Sequence, residues 1–166
     1  MMKAVWSGAI AAAALLVVPT SAYAQATASG TVNVNANVAA RARLAFSSNA
    51  ITFADADPVA TPVMTATALT IDVRARTSNA ANVTLTVLAS GDLVSGSDSI
   101  GIANLTWAAG GAGFQPGTSN STTAQTVGSW TGSGSPSGTQ TYSLPNSWAY
   151  NTGNYAVSLV YTLTAP

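Results

Sequence analysis

"ALTIDVRAR", residues Ala68–Arg76, alternates apolar and polar side chains without a slip. In an extended chain Leu69, Ile71, Val73 and Ala75 share one face, and Thr70, Asp72, Arg74 and Arg76 share the other. A period of two marks a strand with one buried face. Three further segments follow the same rule. "TVNVNANV" sets Val32, Val34, Ala36 and Val38 against Asn33, Asn35 and Asn37. "NVTLTV" turns Val83, Leu85 and Val87 inward. "NYAVSLVYTLTA" places Tyr155, Val157, Leu159, Tyr161 and Leu163 on one face and carries no charge.

Weaker strands are expected at Arg41–Ser47, Ala50–Phe53, Ser99–Trp107, Thr123–Trp130 and Thr139–Leu144. Turn-forming runs separate them: "SSNA", "DADPVATP", "TSNAAN", "SGD", "GSGSPSG" and "NTGN". "AAGGAGFQPGTSNSTT" reads as a flexible surface loop. No stretch beyond the N-terminus has a helical period. Strands on this spacing predict an all-β, antiparallel two-sheet sandwich of about seven to nine strands.

The N-terminus has a different character. Lys3 precedes an almost unbroken apolar run, Ala4–Val18, and Ala22-Tyr23-Ala24 fits a small-x-small cleavage pattern. Residues 1–24 therefore read as a secretory signal peptide, leaving residues 25–166 as one domain. The run is short for a membrane span, so no span is expected in the mature protein; a retained N-terminal anchor is the alternative. The chain has no cysteine, so an exported domain of this size rests on packing and backbone pairing alone.

Absent residue types exclude most catalytic chemistry. Without His or Cys there is no Ser-His-Asp set, no thiol nucleophile and no usual zinc site. Lys3 is the only lysine, which leaves no Schiff-base residue after cleavage. Asp55 and Asp57 are close enough to raise a carboxylate-pair hydrolase. Asp-x-Asp before Pro58 is more simply a turn, and no enzyme is expected. Asp55, Asp57, Asp92 and Asp98 all fall in expected loops. They are weak calcium candidates, in the absence of a regular calcium-loop motif. No other cofactor is expected.

Trp107 and Tyr142 fall at core spacing. Trp130 and Trp148 stand at strand ends and form the more exposed aromatic pair, a weak candidate for stacking on a glycan. The low charge, 6% of residues, gives no sign of nucleic-acid binding. Three Asn-x-Thr sequons, at Asn82, Asn104 and Asn120, carry little weight in a chain so rich in Asn and Thr.

Apart from Lys3, all fixed positive charge sits in two copies of one tripeptide, Arg41-Ala42-Arg43 and Arg74-Ala75-Arg76. Each turns two arginines to one strand face. Four guanidiniums could hold phosphate, sulfate or carboxylate. Solubility and the blunting of sheet edges is the simpler account, and is favoured from sequence.

The segments together resemble spore coat protein U-type domains and, more distantly, chaperone–usher pilins. "GTVNVNANVAARARLAFSSNAITFADADP" is similar to their opening. "LTIDVRART" with "NVTLTVLASGD" looks like their next two framework strands, and "SWAYNTGNYAVSLVYTLTAP" like their ending. The resemblance implies an immunoglobulin-like sandwich, exported through the inner membrane to the periplasm, cell surface or medium. It also implies association with copies of itself or related subunits, with a periplasmic chaperone and an outer-membrane usher as further partners. Those families commonly tie their first two sheet strands with a disulfide; here Ala42 and Ala75 stand at the corresponding inward positions. In pilins one strand of the sandwich comes from a neighbour. Self-association would then use Val32, Val34, Ala36 and Val38 with Tyr155, Val157, Leu159, Tyr161 and Leu163. The alternative function is a glycan- or cell-wall-binding adhesion module built on Trp130 and Trp148.

Overall fold

Residues 25–166 are described by the computed structural model; the expected leader, residues 1–24, lies outside the described residues. The chain divides into two units, the second spanning Asn37–Pro166 and containing every strand among the described residues. Residues 25–36 of the first unit form no strand and are exposed throughout.

The strands are β1 (Arg41–Phe46), β2 (Val63–Thr65), β3 (Leu69–Arg76), β4 (Asn82–Ala89), β5 (Leu93–Ser95), β6 (Asp98–Ile100), β7 (Thr106–Gly110), β8 (Gly117–Thr118), β9 (Gln125–Thr131), β10 (Ser137–Pro145) and β11 (Leu159–Thr164). The protein is all-β, and every pairing between these strands is antiparallel. One sheet runs β1-β3-β10-β7-β8, with β2 beside the end of β10. The other runs β11-β4-β9, and β5 and β6 form a small hairpin. Side chains from both larger sheets meet in one core, in a sandwich-like arrangement.

The alternation explains this core. Leu69, Ile71, Val73 and Ala75 of β3 are buried, as are Val83, Leu85 and Val87 of β4. Burying one such aliphatic side chain contributes roughly 1.5–3 kcal/mol, so these two central strands supply much of the cohesion. Trp107 and Tyr142 are buried as their spacing predicts. Their rings lie 5.9 Å apart, and Trp107 Nε1 donates to Gln115 O at 2.9 Å.

Several expectations need correction. Eleven strands replace the expected seven to nine, partly because Ser99–Trp107 is interrupted. A 3-10 turn at Ile102–Asn104 breaks it, where Asp92 Oδ1 accepts from Ile102 N at 2.8 Å. Ala50–Phe53 is not a strand. The Ser48 hydroxyl bonds both the N and the O of Ala50 and turns the chain, while Ile51 and Phe53 pack on the core. Thr31–Val38 also forms no strand, since alternation alone does not satisfy backbone groups without a paired neighbour.

The glycine-rich segment is not a flexible loop. It includes the end of β7 and all of β8, with buried Phe114 between them. Gln115 N donates to Val127 O at 2.8 Å and Ser129 N to Gly113 O at 3.0 Å. This crossing covers the free side of β9. Phe114 lies so close to Gly138 that a Cβ there would collide with its ring, which is why β10 carries a glycine at that point.

The first strand pairs with β3 in the register Arg41↔Arg76, Ala42↔Ala75, Arg43↔Arg74. Val73 N and Ala75 N bond to Pro136 O and Gly134 O on the other side. The amides of Asp72, Arg74 and Arg76 therefore face β1. Ala42 and Ala75 form a non-hydrogen-bonded pair, in which side chains approach most closely. Ala75 is buried, but Ala42, expected to face the core, is exposed because the sandwich is open above it. Replacing both alanines by cysteine should give a cross-strand disulfide under oxidising conditions. It should stabilise the domain by about 3 kcal/mol. Thiol counting and denaturant midpoints with and without reductant measure this; two free thiols after oxidation would contradict the register.

Candidate functional site along the open seam

β1 and β11 end their respective sheets, and each is paired on one side only. The rings of Phe46 on β1 and Tyr161 on β11 are 4.9 Å apart, so these edges face each other across the sandwich. The inward residues here are less covered than those of β3 and β4. Phe46 is 38% exposed, Leu44 half-buried and Ala42 exposed. On the other side Leu159, Tyr161 and Leu163 are half-buried, as are Tyr155 and Val157 just before the strand. The result is a seam lined by apolar side chains and bounded by two unpaired strand edges. Both are features that another strand satisfies.

A polar station marks its floor. The Tyr161 hydroxyl donates to Gln140 Oε1 at 2.5 Å and lies 2.6 Å from the Tyr142 hydroxyl. Tyr161 has one proton, which Gln140 takes, so Tyr142 must donate to Tyr161. Gln140 is fully buried and its Nε2 has no partner. This chain of bonds ties β10 of one sheet to β11 of the other. Burial pushes the Tyr161 hydroxyl up to about 12, partly offset by the bond from Tyr142. Burial also raises the Tyr142 hydroxyl well above the usual phenol range, reinforced by Tyr161 beside it.

The residues expected to associate through Val32, Val34, Ala36 and Val38 are exposed. Val32 and Val34 are 85% and 88% exposed. They provide a second apolar stripe with no partner among the described residues.

The other candidates do not converge. Asp57 Oδ1 accepts from Val59 N at 2.8 Å in its own turn, and Asp98 Oδ1 accepts from Asn151 Nδ2 at 2.8 Å. Asp92 holds the 3-10 turn. Among the described residues no three carboxylates form a metal-binding group, so Asp55, Asp57, Asp92 and Asp98 do not make one site. Trp148 is 76% exposed. Asn146 clamps its loop, donating from Nδ2 to Ala56 O and Thr61 O.

Trp130 is not its exposed partner. It packs edge-on to Phe114 at 5.0 Å and donates from Nε1 to Ala112 O. It also lines an apolar cavity of about 150 Å³ with Val73, Ala75 and Val83. The cause is a β-bulge opposite Leu85 and Thr86 that shifts the β9 register. It reverses the inward parity after Val127 and turns Trp130 over Gly128. Strict alternation cannot foresee this. Trp130 pairs with Val83 at one end of the sandwich, whereas Trp148 follows β10 at the other.

The arginines form one array. Arg41 faces Arg76 and Arg43 faces Arg74 on the outer surface, and all four are exposed. Opposed like charges cost roughly 0.2–1 kcal/mol per pair. Arg76 Nε donates to Ala39 O at 2.8 Å, pinning the chain as it enters β1.

Comparison with family models and with curated proteins gives no match. Among the described residues no helix is long and apolar enough to cross a membrane.

The raised Tyr161 has a consequence for stability. Its proton is held more tightly in the folded chain than in the unfolded one, where a phenol titrates near 10. Its contribution is fully present below about pH 10 and is lost as pH rises through about 12. Denaturant midpoints measured from pH 7 to 12 should stay flat in this respect and then fall. Tyr161→Phe should weaken the fall and, at pH 7, cost about 1–3 kcal/mol by leaving Tyr142 and Gln140 without their partner.

Proposed function

We propose that this is a non-enzymatic, exported cell-surface protein that acts by associating with further copies of itself. In this reading the sandwich is immunoglobulin-like, and the exposed segment Thr31–Val38 of one copy enters the open seam of another. The observation that carries it is the seam: two unpaired edges over half-covered apolar side chains, in a chain whose own N-terminal segment has matching alternation and no partner.

Physical chemistry favours donation to a second copy over insertion into the same one. For Val38 to fold back against β1, Ala39 and Ala40 would have to make a two-residue hairpin. Such hairpins need positive φ, which Gly, Asn and Asp supply and alanine resists. The Arg76 bond to Ala39 O further holds this junction in place. Between copies no turn is needed. An entering strand would gain backbone bonds from the free edges, with Val32, Val34, Ala36 and Val38 facing Leu44, Phe46, Leu159 and Leu163. Each buried valine would contribute about 1.5 kcal/mol or more. The residues present support no catalytic reading. A chaperone to shield the seam before assembly and an outer-membrane usher are the partners this reading implies.

Removing Gln25–Val38 should abolish multimers in sizing and negative-stain images and leave an unstable, adhesive remainder. The milder pair Val32→Asp, Val34→Asp should lose multimers while keeping the folded circular-dichroism spectrum. A Thr31–Val38 peptide added to the truncated protein should raise its melting temperature. A truncated protein that remains a well-folded monomer, unchanged by the peptide, would defeat strand donation.

Trp148 sustains a second reading, adhesion to a glycan or cell-wall polymer, because it is a large aromatic left exposed on a clamped loop. Trp148→Ala should then abolish glycan-array binding without altering assembly. Silence of the unmodified protein on such an array removes this reading.

A further inference from the structure

Apart from the Arg76 Nε bond to Ala39 O, the arginine array is not used by the association described above, since it stands on the outer face of β1 and β3. We propose that it is a binding site for an anionic glycan-type polymer bearing phosphate or sulfate groups. Four observations support it.

First, the charge is concentrated. Residues 25–166 contain four arginines and no lysine or histidine, and all four arginines stand on two adjacent strands. Arg41↔Arg76 and Arg43↔Arg74 are hydrogen-bonded pairs, with Cα atoms about 5.5 Å apart. Along each strand the step from one arginine to the next is about 6.7 Å. This is a two-by-two lattice of guanidinium forks, whose planar donors match phosphate and sulfate oxygens.

Second, the simpler accounts fail on position. Blunting a sheet edge explains Arg41 and Arg43 on β1. It does not explain Arg74 and Arg76, because β3 lies between β1 and β10 and is no edge. Solubility would be served equally by charges spread over the exposed face. Placing them directly opposite one another opposes folding, and a bound polyanion removes that repulsion.

Third, the neighbouring surface suits a hydrophilic polymer. The outward positions of β10 are Ser137, Thr139, Thr141, Ser143 and Pro145, which follow from its buried Gly138, Gln140, Tyr142 and Leu144. Of these only Ser137, opposite Asp72, lies near the arginines; no large apolar side chain stands among the arginines, and exposed Val63 is on β2 at the far end of β10. A protein partner would require a large apolar anchor at the centre of its interface.

Fourth, the array has a recess. Arg43, Ala45, Asp72 and Arg74 line a shallow depression of about 120 Å³. Asp72 places one negative charge in it, so anionic groups bind best between the four arginines and Asp72 limits their affinity.

The test uses heparin as the sulfated probe and long-chain polyphosphate as the phosphate probe. Purified protein should be retained on a heparin column at 50 mM salt and released by salt, with a log–log slope corresponding to about two to four oxyanion contacts. Binding to heparin supports the glycan-type ligand, with polyphosphate binding beside it showing that phosphate is accepted as well as sulfate; binding to polyphosphate alone would overturn the glycan class. Arg43→Gln with Arg74→Gln should weaken binding about tenfold or more and lower the slope by about two. Arg43→Lys with Arg74→Lys keeps the charge and should fall between the two, so the proposal stays testable if the glutamine pair folds poorly. Asp72→Asn should bind more tightly than the unmodified protein. Failure of the unmodified protein to bind either probe overturns the site, as does equal binding by the glutamine pair with an unchanged melting curve. Displacement of heparin by inorganic phosphate at equal anion concentration would overturn a polymer ligand. Stronger binding to polyglutamate than to heparin would overturn the glycan class in favour of an acidic protein.

Discussion

Everything in this molecule depends on β3 and β4 facing each other across the sandwich. With no cysteine in the chain, no disulfide reinforces this contact. Ile71 and Val73 from one sheet and Leu85 and Val87 from the other are removed from water almost completely, and this contact is what keeps the sheets together. From these two strands outward the cover thins. β10 and β9 are still well packed, the latter because the Phe114 crossing closes its free side. At the opposite margin β1 and β11 have no such closure, and their inner side chains remain half covered. The open seam is thus a property of how burial falls off from the centre, and its location is set by the strand order.

The polar chain Tyr142–Tyr161–Gln140 belongs to the same margin. A wholly apolar floor would slide more readily, whereas two directional bonds fix the height of β11 relative to β10. Holding an edge strand in register is a requirement for any surface that must accept another strand. The unmatched Gln140 Nε2 is the cost of that arrangement, tolerated inside an otherwise apolar core.

Strict alternation made β3, β4 and the inner face of β11 legible, down to which side chains are buried, because a period of two needs no knowledge of neighbours. The pairing of Ala42 with Ala75 came from the family resemblance; the repeated "RAR" shows only that two strands share a pattern, not that they are neighbours. What alternation cannot encode is the partner. Thr31–Val38 has a strand's pattern and no strand's pairing. Trp130 was misplaced because one bulge residue reverses the faces after it, and such an insertion is set by packing against β4 rather than by local pattern. The glycine-rich segment misled for a similar reason. Its glycines answer close approaches from elsewhere in the fold: a Cβ at Gly113 would meet the Trp130 ring, one at Gly117 the Trp107 ring, and one at Gly111 the backbone of β10. Of the candidate site, the apolar stripes could be read; the Tyr161 bond to Gln140, which joins separate sheets, could not.

The confinement of arginine to one strand pair also makes this a protein with a built-in reporter for proteases. Within residues 25–166 trypsin has nowhere to cut except after Arg41, Arg43, Arg74 and Arg76. The last two lie in a strand bonded on both sides, whose backbone must leave the sheet before a protease can grip it. Tryptic nicking therefore measures one event, the peeling of β1 and then β3 from the sheet margin. The rest of the chain, however mobile, stays silent to that enzyme.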